Sequence, residues 1–252
     1  MRNAVLGAGT RRVSVWLSTL GLALLSVSPA RADTFMEDFD SGSLSAQLEV
    51  LTDPGFNLSL TGGGARMDQA AGAGNGSVFL NTKFVGVGDF VATVQANRNG
   101  LGSAELGLEA DYGDPKGMGN RADVFFVNTN LINANITVPG GTQTFGSIAD
   151  ASTDVVFRIR RVGQTVLSEV DNGGGFVTVH SRSNPALMAP ARFGLFLIQE
   201  FGSRASNHGS FDTWSITADS IVSVPEPSSC YVRGYPRRSI PRTARVIGAS
   251  NP

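Results

Sequence analysis

Apolar and polar side chains alternate with a period of two along run after run of this chain, and that pattern restricts the fold more than any other feature. Val155, Phe157 and Ile159 stand against Val156, Arg158 and Arg160; Phe90, Ala92 and Val94 stand against Val91, Thr93 and Gln95; Phe56, Leu58 and Leu60 alternate with polar neighbours. Successive side chains of a strand point to opposite faces, so such runs bury one face and wet the other. Turn-forming clusters separate them: Thr61-Gly62-Gly63-Gly64, Asp111-Tyr112-Gly113-Asp114-Pro115, Pro139-Gly140-Gly141 and Asp171-Asn172-Gly173-Gly174-Gly175. Beyond the start of the chain, no stretch shows a sustained helical period with caps. Roughly a dozen short strands without intervening helices predict an all-β fold of two antiparallel sheets packed face to face. The composition agrees: 31 glycines among 252 residues, with only 16% charged, suit tight turns around one sandwich core.

The first 32 residues read differently. Arg2, Arg11 and Arg12 precede the uncharged apolar run from Val13 to Val27, and Ser28-Pro29-Ala30-Arg31-Ala32 places small residues at 30 and 32. A basic start, an apolar stretch too short to span a bilayer comfortably and an A-x-A site are the marks of a secretory signal peptide. They predict an exported protein with its mature chain beginning at Asp33. Cys230 is the single cysteine, so no internal disulfide can staple the domain, and stability must come from the core. Four arginines within residues 1–32 and five after Val222 leave a strongly acidic stretch between them. An acidic body repels phosphate backbones, which argues against a nucleic-acid partner.

The segment from Val155 to His180 reads as strand, tight turn at Val162-Gly163-Gln164, strand, Gly-rich turn, strand, which predicts an antiparallel meander. This meander resembles the central hairpins of concanavalin-A-like (laminin-G/lectin-type) jelly-roll domains. Glu37-Asp38-Phe39-Asp40-Ser41-Gly42-Ser43-Leu44 is similar to the opening of such domains. Phe193-Gly194-Leu195-Phe196-Leu197 and Gly209-Ser210-Phe211-Asp212-Thr213-Trp214-Ser215-Ile216 are similar to their closing strands. The resemblance implies a jelly-roll sandwich over residues 33–222. It leaves the function open, because lectins, glycosidases and adhesion modules share that fold.

Past the sandwich, Val224-Pro225-Glu226-Pro227 resembles the start of a bacterial PEP-CTERM sorting signal. The resemblance implies processing by exosortase machinery in a bacterium that makes extracellular polysaccharide, and a cell-surface or extracellular location. In that family the motif precedes a membrane-spanning helix and an Arg cluster. Here the chain after Ser229 carries repeated arginines, Pro236 and Pro241, and no apolar run long enough to span. The signal is therefore disrupted after Ser229, with residues 223–252 a polar tail and a periplasmic location the alternative.

Candidate chemistry is sparse. Glu105, Glu109 and Asp111 fall at even separations, so on a strand their side chains share one face. Glu109 and Asp111 would have Cα atoms roughly 6.6 Å apart at ~3.3 Å per residue, a spacing open to a carboxylate pair. The catalytic strand of jelly-roll glucanases resembles E-x-D-x-x-E, and Gly107 stands where its Asp is expected. His180 and His208, the two histidines, lie in no metalloprotease frame, and no G-x-S-x-G elbow occurs. Asp111 and Asp114 offer hard oxygens to Ca2+, outside any EF-hand spacing; otherwise no cofactor is implied. Phe125, Phe157, Phe176, Phe193, Phe196 and Trp214 mostly fall at core positions, leaving Tyr112 as the aromatic expected at a loop rim beside Glu109 and Asp111, where a sugar ring could stack. The expectation is a non-catalytic, exported surface or matrix-associated module that binds polysaccharide; the alternative is a glycoside hydrolase or lyase using Glu109 and Asp111.

Overall fold

The structure is a computed structural model that describes residues 32–112, 120–138, 142–200 and 206–224. Residues 1–31 of the expected leader, Asp114, the Pro139-Gly140-Gly141 segment, and Pro225, Glu226 and Pro227 lie outside these residues. Fourteen strands follow one another, and the single helical piece among the described residues is a 3-10 turn at Pro185–Met188, capped by Asn184. All strand pairings are antiparallel. The antiparallel sandwich expected from the alternation is what the described residues form, with the jelly-roll arrangement that the resemblance implies.

The longest strand builds both layers. β5 (Gly76–Asn97) spans 22 residues. Its first half pairs with β2 (Leu48–Thr52) and β13 (Ala191–Gln199), and the sheet continues through β6 (Glu105–Tyr112), β7 (Arg121–Val127), β8 (Leu131–Thr137) and β9 (Gln143–Ala149). Its second half pairs with β10 (Asp154–Val162) and β14 (Asn207–Ser223). On one side the second layer continues to β11 (Thr165–Asp171) and β12 (Val177–Ser183). On the other, β14 holds β1 (Asp33–Glu37) and β4 (Gly64–Gln69), with β3 (Phe56–Thr61) outside β4. The predicted meander is β10, β11 and β12, with Gly163 at φ +57 in its first turn and Gly173 at φ +103 in its second.

Between its two halves β5 turns from one layer to the other at Gly88, whose φ of +75 is open to glycine and strained for other residues. Ladder irregularities on both partners, between Arg192 and Gly194 and between Ala218 and Ser220, mark the same bend. Arg161 pins it from inside. Its guanidinium is 2% exposed and donates to the Gly88 carbonyl through two nitrogens, to Leu187 O at 2.7 Å and to Ala189 O at 2.5 Å. It also lies 4.9 Å above the Phe90 ring.

The layers meet through aromatic side chains. Phe90 packs edge-on against Phe193 at 5.0 Å, Phe126 against Phe157 at 4.8 Å, and Phe35 against Trp214 at 5.9 Å. Each such buried side chain contributes roughly 1.5–3 kcal/mol by leaving water. Tyr112 belongs here as well. β6 runs two residues further than the turn expected from Asp111, and position 112 is in phase with Leu106, Leu108 and Ala110. Tyr112 is therefore fully buried beside Phe90, not at a loop rim, and offers no ring to a sugar.

Candidate functional site

With Leu106, Leu108 and Ala110 turned into the core, the odd-numbered side chains of β6 emerge on the outer face of the first layer. The ladder registers align them into rows across the strands. One row runs Asn81, Gly194, Glu109, Asp123, Asn135, Phe145, from β5 to β9. The next runs Phe79, Phe196, Gly107, Phe125, Asn133, Ser147. A third brings Arg192, Asp111 and Arg121 side by side. The first row thus places a carboxylate pair between amides, and the second lays an aromatic ridge along it.

Glu109 and Asp123 are directly opposite each other on β6 and β7. Cross-strand partners have Cβ atoms about 4.5–5.5 Å apart, so the two carboxyls share one small volume. Both are buried, Glu109 at 5% and Asp123 at 1% exposure. Gly194 makes room for the arrangement: a Cβ there would lie 2.5 Å from Asn81 Oδ1 and 2.8 Å from Glu109 Oε1. Burial, reinforced by Asp111, pushes the Glu109 carboxyl well above the usual range. Asp123 is pushed up to about 6 by burial, against the pull of Arg121, at 3.0 Å, and of the Asn135 amide, which donates to Oδ1 at 2.8 Å. Glu105, further along β6, rises to about 7 through burial and the charges of Glu200 and Asp123. Burial lowers Arg121, but Asp123, Glu109, Asp111 and Glu105 outweigh it and hold the guanidinium charged. Arg192 bridges to Glu49 at 2.6 Å and closes the β2 side of the face.

The sequence reading placed Glu109 and Asp111 together on one face, and the structure does so. It missed Asp123, the cross-strand partner of Glu109. The available signal was Arg121-Ala122-Asp123 opening an otherwise apolar strand, with two charges two residues apart. Phe125 and Phe196 are buried as expected, at 4% and 2% exposure, but they lie outside the central core cluster, on the outer side of the first layer, where their tilted rings meet at 5.9 Å with Phe79 next at 6.1 Å from Phe196; Phe176, also expected in the core, is instead 37% exposed beneath the Arg158 guanidinium. Gly107 has a packing reason. A Cβ there would meet Phe125 Cβ and lie 2.5 Å from the Val124 carbonyl oxygen, so the Asp of the glucanase pattern could not be carried at this position without moving β7. His180 sits on β12 with Nε2 2.9 Å from Thr144 Oγ1, and His208 lies on β14, not in a loop. Among the described residues no group of three or more His, Cys, Asp or Glu side chains is arranged to hold a metal ion.

No family model and no curated protein matches this chain. Solved structures do. The laminarinase (endo-1,3-β-glucanase) catalytic domain from Thermotoga petrophila superposes with a TM-score of 0.58 at 11% identity, covering 75% of this chain and 99% of that domain. A non-specific endo-β-1,3(4)-glucanase of family GH16 gives 0.58 at 12% identity, covering 76% and 93%. A GH43 protein of a Bacteroides ovatus xyloglucan locus gives 0.52 at 15% identity over 72% of this chain, which spans only 38% of that longer protein. At these identities the likeness establishes the jelly-roll fold. These three solved structures are described as glycoside hydrolases or their families, which runs against the expected non-catalytic surface module and toward its hydrolase alternative.

Proposed function

We propose that this chain is a glycoside hydrolase acting on a polysaccharide through Glu109 and Asp123. The observation that carries the proposal is the buried cross-strand carboxylate pair on the outer sheet face, in two different environments. Glycoside hydrolysis needs one carboxyl that holds a proton for the leaving oxygen and a second that is ionised to attack or to stabilise the oxocarbenium-like centre. Environments that push paired titratable groups apart assign those roles. Glu109, lifted by burial and by the charge of Asp111, keeps its proton near neutrality and is the general acid. Asp123 is raised too, but Arg121 at 3.0 Å and the Asn135 backbone N–H at 2.8 Å restrain it to about 6, so it is the carboxylate that is ionised near neutrality. Asp111, opposite Arg121, raises Glu109 and is not the second reacting group.

The test is release of reducing ends from laminarin, mixed-linkage glucan and xylan across pH. Activity is expected to rise as Asp123 ionises around pH 6 and to fall again as Glu109 loses its proton at higher pH, giving a bell-shaped profile. No release from any of these polymers at any pH would sink the proposal.

Export belongs to the same proposal. The basic start, the short apolar run and the Ala30/Ala32 site support a leader over residues 1–32, and the Val224-Pro225-Glu226-Pro227 motif supports descent from a sorted surface protein handled by an exosortase. Extracellular substrate of polymer size fits that location. Protein recovered outside the cytoplasm is expected to begin at Asp33 on N-terminal sequencing; recovery only with Met1 at its start would count against export.

A further inference from the structure

We infer that Phe145 is a stacking platform for a distal sugar ring, and that it makes binding of a neutral polysaccharide depend on chain length. The inference rests on the placement of the cleaved bond at Glu109 and Asp123. Phe145 ends the same row of side chains, two strands beyond Asp123. At about 4.8 Å per strand it stands roughly 10 Å from that carboxylate, the length of about two pyranose units.

Its setting is that of a sugar site more than of a protein contact. The ring is 72% exposed, the most exposed large hydrophobic side chain among the described residues. Isolated exposed hydrophobics are common and need no role. This one, however, sits among polar groups: Asn135 is directly opposite, and the Ser147 hydroxyl donates to Asn133 Oδ1 at 2.7 Å beside it. A lone ring among amides and hydroxyls offers a C–H stacking face with hydrogen-bonding partners around it, not the continuous apolar patch of a stable protein interface. The strand beneath is held firmly. Thr144 and Gly146, on the other side of β9, meet β12 through His180 and the Val179 carbonyl. Alternation therefore keeps Phe145 turned outward. At the opposite end of the row the Arg192–Glu49 ion pair occupies the face, so a long chain leaves the pair across β8 and β9. Asp123, joined by Glu105 once it ionises above about pH 7, opposes a uronate polymer, which favours an uncharged one.

Calorimetric titration of the wild-type chain, Phe145→Ala and Phe145→Trp with neutral β-1,3- and β-1,4-gluco-oligosaccharides of two to six units, at low temperature to suppress turnover, tests this. Phe145→Ala is expected to weaken hexasaccharide binding roughly fivefold to tenfold and to leave the disaccharide unchanged, while Phe145→Trp keeps or tightens hexasaccharide binding. Equal hexasaccharide affinity in wild type and Phe145→Ala overturns the inference, as does a proportional loss at every length. A change from dimer to monomer in Phe145→Ala with affinity unaltered assigns the ring to a self-interface and also overturns it. Should the wild type bind none of the oligosaccharides, this inference and the hydrolase proposal both fail. Length-dependent loss in a protein that hydrolyses nothing would keep the platform and remove only the hydrolase.

Discussion

Glu109→Gln is expected to lower kcat on a polysaccharide by about a thousandfold, within the usual range for loss of a positioned general acid, and to make the fold no less stable. The second half of that expectation separates a functional carboxyl from a structural one. Glu109 is buried, and its raised proton affinity means that the folded chain tolerates its charge poorly. A carboxyl whose folded pKa lies above its unfolded value costs stability as pH climbs from the unfolded pKa through the folded one. Gln has nearly the same shape and never ionises. The variant should therefore melt with the wild type near pH 4.5 and above it at pH 8. Thermal melts at the two pH values, set beside the rate, check both parts. A variant that lost activity by unfolding, or that kept full activity, would contradict the assignment.

Arg161→Met is expected to destabilise the domain by about 3–5 kcal/mol, the scale of leaving two or three buried carbonyl acceptors unpaired. For a domain of this size that lowers Tm by on the order of 10 °C. The guanidinium is buried, and burial lowers its pKa, yet its nearest acceptors are carbonyl oxygens of Gly88, Leu187 and Ala189. Taking it away strands those oxygens at the point where β5 passes from one layer to the other, each at a cost of about 1–3 kcal/mol. The planar fork matters as much as the charge, so Arg161→Lys should recover only part of the loss: an ammonium cannot span three carbonyls in that geometry. Calorimetric melts of the two variants measure the difference. Met equal to wild type would show that the bend at Gly88 holds without its pin.

Much of the architecture is local in origin and was readable before any coordinates. Val155, Phe157 and Ile159 are buried and their neighbours half-exposed because a strand's geometry alone sends them to opposite sides. The turns at Gly163 and Asn172-Gly173 likewise sit where residues tolerant of positive φ are written. The site is different in kind. Glu105, Glu109 and Asp111 were legible as sharing a face, since period two requires it. Whether water or protein would cover that face was not.

Alternation along each strand thus determined, from the sequence by itself, that residues 33–222 would form an antiparallel sandwich and which residues of a strand travel together. The partnership of Glu109 with Asp123, the inward turn of Tyr112 and the outer ridge of Phe125 and Phe196 were decided only by the tertiary structure. The reason is physical. A strand's own residues set its two faces, but its neighbour and register are set by hydrogen bonds to segments distant in the chain, and it is register that brings two carboxyls together.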